Sequence, residues 1–467
     1  MATLSFWGGV GTVTGSKYLI EGERGRVLID CGLFQGFKEL RERNWQDPPF
    51  EPASLDAVLI THAHIDHTGY LPRLVALGFA GPVYCSRGTA ELLKILLPDS
   101  ARLQEEDAAY RNRHHLTRHA PALPLYTEED ARKTLKMLQP LPNTGESAEV
   151  APGIRAGFRI AGHILGSSLV LVELEDAGDD GGGRRVLFSG DLGHYDQPII
   201  RDPVAPPACD YMLVESTYGD RLHDPADPKD ELARIINETA ERGGVVLIPA
   251  FAIGRTQELI YLIRELEDEK RIPVLPVRVD SPMAAAATQV YSRRTEEQDE
   301  DYASVLAQHR HPLRTHSMLT ASSREESKRL NEEHGTRIII SASGMMTGGR
   351  VLHHAQRFVP DEKSTIIFVG YQAAGTIGRK ILDGHREVSI FKHMIPVRCR
   401  VERIGGFSAH ADYGEVLHWL AGMPSAPRRS FTTHGEPDAA RAMAEHIRQK
   451  FGWRVDAPEY GEKVELE

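Results

Sequence analysis

The stretch Ala57-Val58-Leu59-Ile60-Thr61-His62-Ala63-His64-Ile65-Asp66-His67 decides how the rest of this chain is read. Its first four residues are a short apolar run and read as a buried strand. The histidines and the aspartate then lie on the loop where that strand ends, carried by a rigid element yet open to a ligand. Imidazole and carboxylate are donors that suit zinc. His62 and His64 are two apart, so they can point the same way and grip one ion. Asp66 and His67 follow as the loop turns into a helix and can face a second ion. A lone His-X-His is more often a surface loop or a satisfied core histidine. Four donors within six positions are far more specific.

Further donors follow in a definite order. Asp30 ends the apolar run Val27-Leu28-Ile29. His163 lies in Gly162-His163-Ile164-Leu165-Gly166-Ser167, and Asp191 in Phe188-Ser189-Gly190-Asp191. Glu215 lies in Val214-Glu215-Ser216-Thr217-Tyr218-Gly219, His410 in Ser408-Ala409-His410-Ala411-Asp412, and His434 in Thr433-His434-Gly435-Glu436. The series resembles the metallo-β-lactamase superfamily. Its last three motifs resemble the β-CASP nucleases, among them the bacterial and archaeal relatives of the cleavage and polyadenylation specificity factor endonuclease. The resemblance runs from Leu4 to about His446.

The resemblance implies an α/β fold: a metallo-β-lactamase αββα sandwich with an inserted α/β β-CASP domain. It implies two Zn(2+) per chain, one on His62, His64 and His163 and one on Asp66, His67 and His434, with Asp191 bridging. The same ligands admit Mn(2+). A carboxylate suits the bridge because each of its oxygens can face a cation, whereas neutral imidazole has one lone pair. Asp30 is implied to lie beneath the metal loop and orient ligands; taken alone, it reads as a turn carboxylate. His410 is implied to be a non-ligand histidine. It is expected to protonate the leaving ribose oxygen, with Glu215 as its orienting partner. His410, Glu215 and Asp66 are the expected catalytic residues. DNA-directed members carry an apolar residue where this chain has His434, so that histidine favours RNA. The expected reaction is two-metal hydrolysis of single-stranded RNA by a bridging hydroxide, endonucleolytic in mode.

A length of 467 residues is enough for two sizeable cores. Met1-Ala2-Thr3-Leu4 runs straight into a strand pattern, so no signal peptide is expected. The longest apolar stretches, such as Val245 to Ile253, are too short to span a bilayer, so no membrane partner is expected. The four cysteines are scattered without a Cys-X-X-Cys pair and read as reduced thiols of a cytoplasmic protein. The net charge of −11 argues against a generally basic nucleic-acid coat. It does not exclude a nuclease, because two divalent cations and a few local Arg and Lys can supply positive charge in the cleft itself. RNA is the expected partner, and the chain is expected to be a monomer or homodimer.

Strand patterns at Thr3–Trp7, Lys17–Ile20, Val27–Ile29 and Ala57–Ile60 open the chain. Helical patterns follow near Leu71–Leu77 and Thr89–Leu97, then a charged helical insert from Asp99 to Met137. Strands return at Ile154–Ile160, Leu169–Leu174 and Val186–Phe188, with an acidic, Gly-rich hairpin loop from Glu175 to Gly183. After Asp191 the rhythm changes. Tyr211–Val214, Val245–Ile248, Val274–Val277, Ile338–Ile340 and Thr365–Val369 alternate with helical patterns, which implies a parallel sheet with helices on both faces. The expected division is residues 1–199 and 393–467 for the first domain and 200–392 for the insertion, with the site in the cleft between them.

Three Gly-rich turns follow strands of the insertion, at Pro249–Arg255, Ser341–Arg350 and Gly370–Arg379. They make Arg255, Ser341, Ser343, Gly344, Thr376 and Arg379 the expected phosphate contacts, since each turn opens a helix and brings N–H groups, hydroxyls or an arginine. No base-reading module is recognisable. Most of the histidines at 114, 115, 119, 309, 311, 316, 353 and 354 are expected on the solvated surface, and His393 near the domain junction. Three other functions compete. A 5′-to-3′ exoribonuclease of the ribonuclease J type usually carries a further C-terminal domain. A thioesterase or lactonase shares the HxHxDH motif but gives no reason for the insertion or for Glu215, His410 and His434. A non-catalytic RNA-binding subunit would have lost metal ligands.

Overall fold

The computed structural model describes residues 2–116, 121–175, 183–308 and 311–467. His119, His309 and most of the Gly-rich hairpin loop, residues 176–182, lie outside the described residues. The chain divides into two compact units, residues 1–222 with 410–467 and residues 223–409.

The first unit holds two seven-stranded sheets. One runs in the order Lys463–Leu466, Ala2–Gly8, Lys17–Glu21, Arg26–Ile29, Ala57–Leu59, Val83–Ser86, Leu138–Leu141. Its pairings are antiparallel up to Arg26–Ile29 and parallel beyond. The other runs Val455–Asp456, Arg429–Thr433, Tyr211–Glu215, Arg184–Phe188, Ser168–Leu174, Ile154–Ile160, Thr144–Ala151. The inner faces meet in one core: Phe6, Tyr18, Ile29 and Leu59 from the first sheet pack with Phe158, Val172, Phe188 and Phe431 from the second. The rings of Phe6 and Phe431 lie 5.1 Å apart. On the outer face of the second sheet, Leu187, Met212 and Val214 pack with Trp419, Met443 and Ile447 of the helices Tyr413–Leu420 and Pro437–Phe451. Arg87–Arg113 forms one continuous helix through Pro98, so the expected insert is in part the extension of the helix expected near Thr89–Leu97. The layering is the expected αββα sandwich.

The second unit is a six-stranded, all-parallel sheet in the order Met318–Thr320, Val277–Asp280, Arg337–Ser341, Val245–Pro249, Thr365–Phe368, Arg400–Arg403. Its central strands Arg337–Ser341, Val245–Pro249 and Thr365–Phe368 are nearly continuous apolar runs, as burial on both faces demands.

Two boundaries differ from the expected 200 and 392. Tyr211–Glu215 belongs to the first unit, between Arg184–Phe188 and Arg429–Thr433. Arg400–Arg403 does not return to the sandwich; it pairs with Thr365–Phe368 at the edge of the second sheet. Tyr211–Glu215 is a short buried apolar run and Arg400–Arg403 a short, charged edge strand, and neither pattern says which of two parallel arrays the strand joins. Among the described residues no helix is long and apolar enough to cross a membrane. All four cysteines are buried free thiols.

Candidate metal centre

The metal loop leaves strand Ala57–Leu59 and is held from below. The Asp30 carboxylate accepts from the Thr61 N–H at 2.8 Å and from the Thr61 hydroxyl, and it lies 2.7 Å from His67 Nδ1. Thr61 Oγ1 is also 3.1 Å from His62 Nδ1. One buried carboxylate therefore sets the rings of His62 and His67, turning the Nε2 of each away from Asp30. Two close approaches require glycine. A Cβ on Gly32 would sit 1.5 Å from the Asp66 carbonyl oxygen, and one on Gly190, at φ +56°, would sit 2.8 Å from Thr61 Cβ.

Four ligating atoms converge first: His62 Nε2, His64 Nδ1, His163 Nε2 and Asp191 Oδ2. His64 Nδ1 lies 3.1 Å from His62 Nε2 and 3.2 Å from His163 Nε2, and Asp191 Oδ2 lies 3.5 and 3.6 Å from those two Nε2 atoms. A tetrahedron around zinc, with bonds of about 2.0–2.1 Å, has edges of roughly 3.3 Å. Beside it, His67 Nε2 lies 3.2 Å from His434 Nε2, and Asp66 Oδ2 lies 3.5 Å from His434 Nε2 and 4.0 Å from His67 Nε2. Asp191 Oδ1 reaches into this second set, 3.2 Å from His67 Nε2. That oxygen is buried and makes no hydrogen bond. A buried carboxylate oxygen ringed by imidazole nitrogens, on a residue whose other oxygen faces a second imidazole set, fits a pair of cations.

The protonation pattern agrees. Burial first, then neighbouring His67, push His62 well below the usual histidine range, and burial holds His64 down as well. Both rings are neutral and keep the lone pair that a metal takes. Burial opposes charge on Asp191, but His434, His67 and His62 outweigh it and hold the carboxyl well below its usual range. His67 goes the other way: against burial, Asp191 and Asp30 raise it well above the ordinary value. The two carboxylates that favour positive charge at His67 would favour a bound cation there as well.

His163 is positioned by its own turn, its N–H donating to Ser167 Oγ at 2.9 Å. His434 has a left-handed backbone, φ 49°, and is fastened on both sides. Its N–H donates to the Gly9 carbonyl at 2.5 Å, and its Nδ1 lies 3.1 Å from Thr217 Oγ1. His410 stands at the edge. Its Nδ1 is 3.1 Å from both Glu215 oxygens and 3.8 Å from Asp191 Oδ2. The Glu215 carboxylate, itself buried, accepts from the Leu192 N–H at 2.6 Å. Burial lowers the His410 pKa, but Glu215 and Asp191 more than offset it and bring it to about 9. Asp191, His410 and His434 also offer atoms close enough for an ion, so geometry alone leaves His410 a ligand alternative.

Residues 10–234 match the Metallo-beta-lactamase superfamily, residues 256–381 the Beta-Casp domain, and residues 394–458 the Zn-dependent metallo-hydrolase RNA specificity domain. The chain is 36% identical over 459 residues to "Ribonuclease TTHA0252" of Thermus thermophilus, covering 98% of each chain. The chain belongs to the β-CASP ribonucleases of the metallo-β-lactamase superfamily. It is also 30% identical to "Transcription termination factor FttA" of Methanocaldococcus jannaschii, over 97% of this chain and 70% of that one. A crystal structure of a protein of unknown function from Enterococcus faecalis V583 covers both chains fully at 14% identity and a TM-score of 0.52, a likeness of fold alone.

In the β-CASP unit the expected phosphate contacts fare unequally. Arg255 is buried, ion-paired with Glu258 and 5.6 Å from the Phe407 ring. The Ser341 hydroxyl donates to the Asp280 carbonyl at 3.2 Å. Thr376 caps helix Ile377–Leu382 by accepting from the Arg379 N–H. These three groups are engaged within the fold, because a strand-to-helix turn needs its own caps. Ser343 faces Thr347 at 3.0 Å, Gly344 packs on Phe251, and Arg379 is 43% exposed beside Asp383 at 2.9 Å.

His354 is a correction. It is fully buried, not solvated, with Nε2 2.7 Å from Asp280 Oδ2 and Nδ1 2.8 Å from Asn331 Oδ1. Asp280 also accepts from Ser327 and from Arg350 at 2.7 Å. Helical spacing put two adjacent histidines on one helix, and no local signal says which faces inward. The supporting roles of Thr61 and Thr217 carry no signal of their own in the sequence, although Thr61 directly precedes His62 and Thr217 lies two residues past Glu215.

Proposed function

We propose that this chain is a zinc-dependent endoribonuclease that hydrolyses single-stranded RNA with two metal ions. The supporting observation is Asp191, whose two oxygens face two separate imidazole-rich donor sets. His62, His64 and His163 would hold one ion and Asp66, His67 and His434 the other. When bound, two such ions supply an ionised water at neutral pH and offset charge on the phosphate. The remaining work falls to the chain. Asp30 and Thr61 keep the ligand rings in one orientation. Glu215 fixes the Nδ1 side of His410, so Nε2 is the atom turned away from it and able to hand a proton to the leaving ribose oxygen. The complete donor set speaks against a silent RNA-binding subunit.

Two measurements test this. Metal analysis of the purified protein should find two zinc ions per chain; one or none after zinc is supplied removes the two-ion reading. A circular single-stranded RNA should be opened by the zinc-loaded protein. If linear RNA is degraded and the circle survives, the enzyme is an exonuclease of the ribonuclease J type.

Arg379 is the most accessible of the proposed phosphate contacts. Arg379→Ala should weaken RNA binding and reduce the slope of log K against log salt by about 0.7, the value for one single-strand phosphate contact, with zinc content unchanged. An unaltered slope would mean that Asp383, and not a phosphate, is its partner.

A further inference from the structure

We propose that the short helix Lys38–Arg43 and its flanking residues form a base-stacking platform for single-stranded RNA, fastened to the metal loop. The inference rests on the RNA-hydrolase reading and adds a subsite to it. The helix buries none of its residues. Phe37 at its start and Trp45 just past its end are 53% and 54% exposed, and Tyr460, brought alongside by the C-terminal segment, is 40% exposed. Phe37 and Trp45 flank the helix at its two ends, and the Arg41 N–H donates to the Phe37 carbonyl at 3.1 Å. The Arg43 guanidinium lies 4.1 Å from the Tyr460 ring centroid and 5.5 Å from that of Phe34. Neither Arg41 nor Arg43 meets a carboxylate among the described residues, whereas Lys38 takes Glu42 at 3.4 Å.

The platform is built and braced. Buried Asn44 accepts from the Phe34 N–H at 2.9 Å and donates to the Phe34 carbonyl at 2.8 Å, clasping the two ends of the segment. Phe34 packs so closely on Gly15 that a Cβ there would lie 2.5 Å from the ring. The Leu33 N–H donates to the Ile65 carbonyl at 3.0 Å, inside the metal loop, and Phe34 is four residues past Asp30. Arg41 and Arg43, without an acidic partner among the described residues, share this segment with Glu39 and Glu42, and exposed Phe37 and Trp45 bracket it while Tyr460 lies under Arg43. Rings stack on bases. A guanidinium lying over an aromatic ring keeps its in-plane N–H groups for phosphate oxygens. Single-stranded RNA offers both partners in alternation.

The test uses the zinc-loaded full chain with uniform RNAs of increasing length. Phe37→Ala/Trp45→Ala should raise KM for a twentymer about tenfold or more while leaving kcat and zinc content in place, and the penalty should fall away for a dinucleotide. Arg41→Gln should lower the salt slope by about 0.7, which the aromatic pair should not. In the unaltered protein, Trp45 fluorescence, isolated by subtraction of a Trp45→Phe variant, should be quenched by the twentymer; this readout stands even if the double variant does not fold. KM unchanged at every length, or no quenching, overturns the platform while RNA hydrolysis stands. Loss of a dimer in the double variant with KM unchanged makes the patch a protein interface and also overturns it. Absence of RNA hydrolysis in the unaltered protein defeats the underlying reading instead.

Discussion

Asp191→Ala is expected to bring RNA hydrolysis to background and to leave neither ion properly held. Asp191 places one oxygen against each donor set: Oδ2 lies 3.5 Å from His62 and 3.6 Å from His163, and Oδ1 lies 3.2 Å from His67. Its removal takes one donor from each set at once, together with the single negative charge that the two sets share. Metal analysis should fall below two ions per chain, and zinc titration should show both sites weakened. His434→Ala is the contrast. It touches only the set containing Asp66 and His67, so one ion should remain tightly bound. If His434→Ala cleaves RNA within about threefold of the unaltered protein, roughly 0.7 kcal/mol, His434 is not a ligand and the preference for RNA argued from it falls too.

His410→Ala should retain both zinc ions and RNA affinity yet lose on the order of 10²–10⁴-fold in turnover, the usual effect of removing a general acid. Its Nδ1 is already committed to the two Glu215 oxygens at 3.1 Å, and the two donor sets are full without it. Glu215→Gln should cost less. The two losses should not add, because the residues act as one unit. A better leaving group at the scissile bond should partly rescue His410→Ala. The pH profile has a definite sign. A general acid must carry its proton, so His410 should set an alkaline limb, with kcat declining as pH rises through the His410 pKa. That value is about 9 with Glu215 and Asp191 beside it and no cation present, and two bound dications would lower it. This alkaline limb should vanish in His410→Ala. Loss of a zinc ion from that variant would make His410 a ligand and redraw the roles.

Much of this protein was legible in its residue order. The strand Ala57–Leu59 ending in HxHxDH, and the isolated donors at 30, 163, 191, 215, 410 and 434, are local patterns, and a ligand's residue type and its place at a strand end are local properties. Alternation of strand and helix patterns likewise announced a parallel sheet. Only the tertiary structure decided which sheet took Tyr211–Glu215 and Arg400–Arg403, because the partner of a short parallel strand, buried or at an edge, depends on contacts far away in sequence. The same holds for side-chain employment. Arg255 and Ser341 looked like phosphate donors in the sequence, but Glu258 and the Asp280 carbonyl claim them. His354 looked solvated, but Asp280 draws it inside. What a residue can bind follows from its chemistry and can be read in order along the chain. Which partner it does bind is settled by the free energy of burial, since a polar group removed from water must be satisfied by whatever the fold brings beside it.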